Sequence, residues 1–387
     1  MDSSITFQDI ENALINDEFI FYYQPKVSMI TGEITGAEAL IRWQKPNGQI
    51  ILPSEFIPLA EESGFISTIT KSMFQKLIID ITIINDTIEN LMISMNVSSK
   101  DFANDSFIQQ IKLAITRGLI DPNKLELELV ESSLLDDDNT INASFLSLIN
   151  IGVSLVMDDF GTGYSSIDIL SKFPFSTVKL DRGLISRMHT SSKDKIIIES
   201  SIRMGHQLGI NIVAEGIESE DTYLSLQNSG CTIGQGHWLS YPLPLYEFIK
   251  FSIQKKRWPS TPSGLLYMAQ LDHIHWRKTL VDNVLKFNSN HTNSLAIKEK
   301  LISDARYCML GKWYYGLGKI YAETPGYNEL EAPHIELHAL GNKLVLALEQ
   351  GASKKNLIDI IRDISKLSNI VLMLLQNLEH ETLYSLS

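Results

Sequence analysis

Up to about residue 250 this chain alternates short β-like apolar runs with helical patterns, and that alternation constrains its fold more than any other feature. Strand-like runs cover residues 19–29, 36–43, 91–98, 125–132, 152–160, 177–181, 211–218 and 232–236. Helical periodicity fills most of the gaps, at 53–63, 68–85, 105–116, 142–150, 192–208 and 219–229. Eight strands in about 250 residues predict a β/α barrel. Only a short turn around Thr31 and Gly32 joins the first two runs, whereas a parallel crossover needs about a dozen residues or more. The first strand is therefore expected to run antiparallel to the second, in a modified TIM-type (β/α)8 barrel of α/β class.

The pattern changes at residues 255–264, Lys-Lys-Arg-Trp-Pro-Ser-Thr-Pro-Ser-Gly, which suit neither helix nor strand. Beyond it the β-like runs stop and helical segments follow at 265–287, 294–313, 329–350 and 354–383, the pattern of an all-α four-helix bundle. The expected organisation is a barrel over 1–254, a linker over 255–264 and a bundle over 265–387. The net charge of −13 is uneven: residues 1–254 carry −16 and the remainder +3. An acidic barrel argues against a DNA or RNA polymer as partner, although a phosphate ester can still bind where metal ions bridge it to carboxylates. No apolar run is long enough to insert in a membrane, and the acidic start does not read as a signal peptide. Two well-separated cysteines, Cys231 and Cys308, fit a reducing cytoplasm.

Ten polar residues fall mostly at the downstream ends of the β-like runs: Glu38, Asn96, Glu128, Glu131, Asp158, Asp159, Lys179, Glu215, Glu218 and Gln235. Seven are carboxylates set among residues such as Ile41, Leu127, Val156 and Val213. Buried carboxylates are costly without a compensating cation or donor. Taken singly, each is ordinarily a solvated strand end. Converging at one end of a barrel they imply metal ions, and all-oxygen ligands favour hard divalent cations.

The motifs around these positions are Tyr23-Gln24-Pro25-Lys26, Gly36-Ala37-Glu38-Ala39-Leu40-Ile41-Arg42-Trp43, Met95-Asn96-Val97-Ser98 and Leu127-Glu128-Leu129-Val130-Glu131-Ser132. They continue with Asp158-Asp159-Phe160-Gly161-Thr162-Gly163-Tyr164-Ser165-Ser166, Val178-Lys179-Leu180-Asp181-Arg182, Ala214-Glu215-Gly216-Ile217-Glu218 and Gln235-Gly236. Over about residues 5–253 the chain resembles the EAL-domain family of cyclic-di-GMP phosphodiesterases, whose barrel has an antiparallel first strand. The resemblance implies that Glu38, Asn96, Glu128, Asp158 and Glu215 hold one Mg2+ or Mn2+, and that Asp158 and Asp159 face a second. It implies that Lys179 orients the attacking hydroxide, that Glu215 assists as base, that Gln235 completes the pocket and that Glu131 anchors the 159–166 loop. Arg42 is then expected at a phosphate and Glu218 at a guanine edge, with Gln24, Asp181 and His237 as further substrate contacts. In the family the 159–166 loop couples dimerisation to metal placement, so a homodimer is expected. Two departures stand out: Val130 replaces the usual threonine, and His237 replaces an aromatic Tyr or Phe, which weakens base stacking or makes it pH-sensitive.

In the second half, His334 and His338 lie at i and i+4 on one helix face. His273 is a heptad from Leu266 and Leu280, and Cys308 is seven residues after Leu301, so both point into the bundle. One thiolate and three imidazoles suit a closed tetrahedral zinc site. Leu271-Asp272-His273…Trp276, Cys308-Met309-Leu310-Gly311-Lys312-Trp313-Tyr314 and Pro333-His334…His338 resemble the chemoreceptor zinc-binding (CZB) domain over about residues 264–385. The sequence thus points to an enzyme that opens cyclic-di-GMP to linear 5′-pGpG and is regulated by zinc or redox sensing. The alternatives are a catalytically weak cyclic-di-GMP receptor signalling through dimer geometry, or a zinc sensor with a vestigial barrel. The retained ligand set favours the enzyme.

Overall fold

A computed structural model describes residues 5–88, 90–102, 105–130, 139–161, 166–261, 263–287 and 305–384. The chain divides into two compact units, Met1–Leu226 with Cys231–Ser260, and Gln227–Gly230 with Thr261–Ser387.

The first unit is a closed eight-strand barrel of β1 (Phe19–Ser28), β2 (Ile34–Gln44), β3 (Met92–Asn96), β4 (Leu125–Val130), β5 (Ser154–Phe160), β6 (Thr177–Leu180), β7 (Asn211–Ala214) and β8 (Ile233–Gly234). Strands β2 to β8 run parallel to one another, and β1 closes the ring antiparallel to both β2 and β8. The antiparallel entry expected from the short first turn is what the fold has. Its cause is local: the Ser28 hydroxyl accepts the amides of Ile30 and Thr31, and Gly32 takes the left-handed φ of 69° that a glycine tolerates.

Helices cover the outside of the barrel. The segments Asp105–Thr116 and Ser192–Leu208 form where their periodicity predicts them. The second is bounded by Ser191, whose side chain accepts the Asp194 amide, and by Gly209 in the left-handed conformation. Ile69, Met73, Phe74, Leu77 and Ile81 line the inner face of Ile66–Asn85 and are buried in one continuous core with the strands. Part of the linker is pinned rather than free. Trp258 is buried against Phe251, its amide donates to the Gly32 carbonyl, and Arg257 pairs with Glu33 at 2.5 Å.

Among the described residues the second unit has three long helices, Ser263–Phe287, Pro325–Glu349 and Lys354–Tyr384, a short helix, Met309–Tyr315, and a 3-10 helix, Leu317–Tyr321. The sequence predicted a single helix over 294–313. Residues 294–304 lie outside the described residues, and residues 305–308 are a turn, not a helix. The reason is close packing of the chain on itself: a side chain at Gly311 would collide with the Ala305 carbonyl. Cys308 then caps the short helix, its sulfur accepting the Gly311 amide at 3.2 Å. The third helix begins four residues earlier than predicted, with Pro325 in its first turn, where the missing N–H costs nothing, and it continues through Pro333.

Candidate active site

Lys179 of β6 is only 1% exposed, and its ammonium is ringed by four carboxylates from four other strands or strand ends. The contacts are Glu128 at 2.5 Å, Glu215 at 2.5 Å, Glu38 at 3.1 Å and Asp158 at 3.3 Å. The strand register explains the convergence. Glu38 pairs beside Ser94, Asn96 beside Glu128, and Val130 beside Asp158, so inward-facing polar residues stack around the C-terminal mouth of the parallel strands. Amides extend the network. Asn96 donates to Glu38 at 2.7 Å, and Gln235 donates to Glu38 at 2.6 Å and to Gln24 at 3.1 Å.

Consecutive residues of a strand ordinarily point to opposite faces, yet Asp158 and Asp159 both reach this site. A register irregularity between Met157 and Phe160 makes this possible, and Asp159 sits there in the left-handed region at φ 57°. Its amide donates to the Asp158 carboxylate at 2.9 Å. That conformation is unfavourable for a residue with a Cβ, and such outliers concentrate at functional sites.

The electrostatics show a shortage of positive charge. Burial works against ionisation of Glu128, but Lys179 and Lys26 outweigh it and hold its carboxyl well below the usual range. Burial likewise opposes the charge on Lys179, and Glu128, Glu215, Glu38 and Asp158 overcome it, so the ammonium stays protonated. Asp158 and Glu215 are left undercompensated. Burial, aided by neighbouring carboxylates, pushes Asp158 well up and Glu215 up to about 7. Two sets of donors lie within 4.8 Å of one another, Glu38 with Glu128 and Asp158, and Asp158 with Asp159 and Glu215. The Gln235 carbonyl oxygen is buried and has no hydrogen-bond partner among the described residues. Excess buried carboxylate and an orphaned acceptor are the chemistry that hard divalent cations would satisfy, and Asp158 belongs to both donor sets.

A stability prediction follows. Glu215 titrates near 4.5 in an unfolded chain and at about 7 in the fold. A raised carboxyl contributes stability that is complete below the unfolded value and is lost as pH rises through the folded one. The melting temperature of chelator-treated protein is therefore expected to fall between about pH 5 and pH 8, and Mn2+ to raise it more at the upper end. A metal effect equal at both ends would show that Glu215 does not sense the cation.

The site opens into a cavity of about 290 Å3 lined by Gln24, Glu38, Asn96, Asp158, Lys179, Glu215, Glu218, Gln235 and His237, with Arg182 at its edge. Of the expected substrate contacts, Gln24, Glu218 and His237 face this cavity, while Arg42 and Asp181 do not line it. Arg42 donates to the Ile41 carbonyl and lies 5.7 Å from the Tyr22 ring centre. Asp181 caps the helix Arg182–Ser186 by accepting the Leu184 amide. Glu218 carries an exposed pair with Arg182 at 2.6 Å, and His237 stacks on Tyr241 with ring centres 4.3 Å apart. Glu131 and positions 162–165 of the loop lie outside the described residues.

Sequence reasoning missed Lys26 and Glu126. Both are buried inside the barrel, 2.8 Å apart. The signal was the strand period of two: Lys26 is two residues after Gln24, and Glu126 is two before Glu128.

In the second unit the Cys308 sulfur lies 3.2 Å from His334 Nε2, and Cys308, His334 and His338 offer donors within 4.8 Å of one another. Burial drives His334 down to about 3 and His273 down to about 4, so both rings are neutral at pH 7 with lone pairs available. One sulfur and two imidazoles fit zinc. His273 is not part of this cluster. Its Nε2 is 2.9 Å from the Ser368 hydroxyl, and the Trp276 ring lies near both His273 and His338, with ring centres 6.4 Å and 5.0 Å away.

A family model described as "EAL domain" matches residues 8–242. The chain belongs to the EAL-domain family. A second model, the chemoreceptor zinc-binding domain, matches residues 273–345. Among relatives, the cyclic di-GMP phosphodiesterase PA2567 of Pseudomonas aeruginosa is 35% identical over 226 residues, 58% of this chain and 38% of the relative. The cyclic di-GMP phosphodiesterase RocR of the same organism is 31% identical over 243 residues, 63% of this chain and 62% of the relative. The structure of the PaMucR phosphodiesterase in its c-di-GMP complex matches this EAL barrel at a TM-score of 0.59 and 33% identity, over 62% of this chain and 98% of that one. The chain spans about a third of the length of several curated relatives, from 31% to 38%. No helix among the described residues is long and apolar enough to cross a membrane.

Proposed function

We propose that the EAL barrel hydrolyses cyclic-di-GMP to linear 5′-pGpG, with Mg2+ or Mn2+ held by Glu38, Asn96, Glu128, Asp158 and Glu215 and by Asp158 and Asp159. The convergence of four carboxylates on Lys179 beneath an open cavity carries this reading, and the phosphodiesterase relatives supply the substrate class. Bound there, divalent cations polarise a phosphodiester and lower the pKa of a water. Lys179, fixed by its four partners and held charged, is placed to stabilise negative charge on the attacking oxygen and on the phosphoryl group. Glu215, paired with Lys179 at 2.5 Å at the end of β7, is the carboxylate placed to accept a proton from the attacking water. Glu38 orients the Asn96 and Gln235 amides toward the same space. Water attack at phosphorus then breaks one P–O3′ bond and leaves a 5′-phosphate.

The test is incubation of purified protein with cyclic-di-GMP, with Mg2+, Mn2+ or chelator, and chromatographic identification of the product. Linear pGpG formed only with a divalent cation is expected. Tight binding of intact cyclic-di-GMP without turnover in either cation would replace the enzyme with a receptor.

The zinc-binding unit would hold one Zn2+ through Cys308, His334 and His338, with His273 swinging from Ser368 as fourth ligand, and would regulate the barrel within a homodimer. Cys231 and Cys308, far apart in the sequence, fit a reducing cytoplasm. Elemental analysis should give about one zinc per chain, and Cys308→Ala should lose most of it under mild chelation, since a closed site needs all four ligands. Equal zinc retention in the variant would remove Cys308 from the ligand set.

A further inference from the structure

The barrel contains a second buried ammonium that the proposed chemistry leaves unused. Lys26 of β1 is 3% exposed, and it reaches two carboxylates of β4, Glu126 Oε2 at 2.8 Å and Glu128 Oε1 at 2.9 Å. Glu128 itself is 0% exposed, and its described hydrogen-bond partners are Lys26 and Lys179. Its two oxygens are thereby divided. Oε1 is tied to Lys26, while Oε2 meets Lys179 at 2.5 Å, on the side shared with Glu38 and Asp158.

We propose that Lys26 is a positioning residue that clamps Glu128 Oε1 so that Oε2 is the single atom offered to a divalent cation. The inference rests on reading the cluster as a cation site. When a cation takes Oε2, Lys179 competes with it for that atom, and Lys26 remains the contact that fixes the carboxylate plane. Glu126 keeps Lys26 in place meanwhile, because it is the second, independent anchor of the same ammonium. Outer partners that orient a ligand typically account for about a 10- to 100-fold effect on metal affinity. The antiparallel entry of β1 is what delivers a lysine to this depth, since β1 pairs with β2 from Phe19↔Trp43 to Lys26↔Gly36 and beyond.

Two variants test this. Lys26→Met keeps the aliphatic stem and removes the clamp. Lys26→Met/Glu126→Gln also removes the carboxylate that would be stranded, which favours folding. The readout is the Mn2+ dissociation constant, from the electron paramagnetic resonance signal of free Mn2+, together with the Mg2+ dependence of turnover and the melting temperature. Both variants are expected to bind Mn2+ about 10- to 100-fold more weakly. Turnover at saturating metal and the KM for cyclic-di-GMP should stay near wild type. Unchanged Mn2+ affinity with a lowered melting temperature would make Lys26 a purely structural residue and overturn the proposal, as would failure of both variants to fold with Mn2+ present. Absence of Mn2+ binding by the wild-type barrel would instead overturn the reading of the site on which the proposal stands.

Discussion

Replacing Glu38 with alanine is expected to lower cyclic-di-GMP turnover by about 10^2- to 10^3-fold, an effect of the size seen when a fixed electrostatic group is removed from a reacting centre. Glu38 holds three donors at once: its Oε1 accepts from Asn96, and its Oε2 accepts from Gln235 and Lys179. Alanine removes a ligand from the first donor set, frees the Asn96 and Gln235 amides to turn away from the cavity, and leaves Lys179 with Glu128, Asp158 and Glu215 but without Glu38. Glu38→Gln separates these roles, since it keeps the volume but loses the charge and one acceptor. Both variants are assayed at saturating Mn2+, with circular dichroism to establish folding. Turnover of folded Glu38→Ala near the wild-type value would exclude Glu38 as a ligand.

Lys179→Met is expected to have two separable effects. Without divalent cations it leaves a fully buried Glu128 with one partner instead of two, and three further carboxylates without their shared ammonium. Breaking buried pairs on one side costs about 3–5 kcal/mol, so the chelated variant should melt well below wild type. Mn2+ should restore much of that stability, because a cation replaces the missing charge. Turnover should nevertheless stay about 10^2- to 10^3-fold down, because the stabiliser of the attacking oxygen is gone. Recovery of both stability and turnover in Mn2+ would reduce Lys179 to a charge balancer of the metal-free pocket.

Much of this fold is legible in the sequence because its signals are local. The 105–116 and 192–208 helices carry their own apolar period, and the latter its serine and glycine ends. The antiparallel first strand follows from the length of a single turn. The acidic ring was legible for a related reason: charge at the end of an apolar run is conspicuous in one dimension. What is not legible depends on closure. Lys26 and Glu126 sit on different strands 100 residues apart, and only the closed barrel shows that each answers the other. The left-handed Asp159 that turns two consecutive aspartates to one side is a property of strand pairing, not of composition. The turn before Cys308 lies within the span whose pattern predicts a helix over 294–313. The close approach of Gly311 to the Ala305 carbonyl, which only a residue without a Cβ allows, belongs to the folded turn and is not visible in that pattern. His273, placed inward by its heptad, does face the bundle interior, but its described partner is Ser368.

The most direct measurement is an anomalous difference map at the manganese edge from crystals grown with Mn2+. Two peaks are predicted, one bounded by Glu38, Glu128 and Asp158 and the other by Asp158, Asp159 and Glu215, with Lys179 displaced from at least one of its present partners. A map with no manganese at either position, and Lys179 still seated on Glu128 and Glu215, would contradict the account.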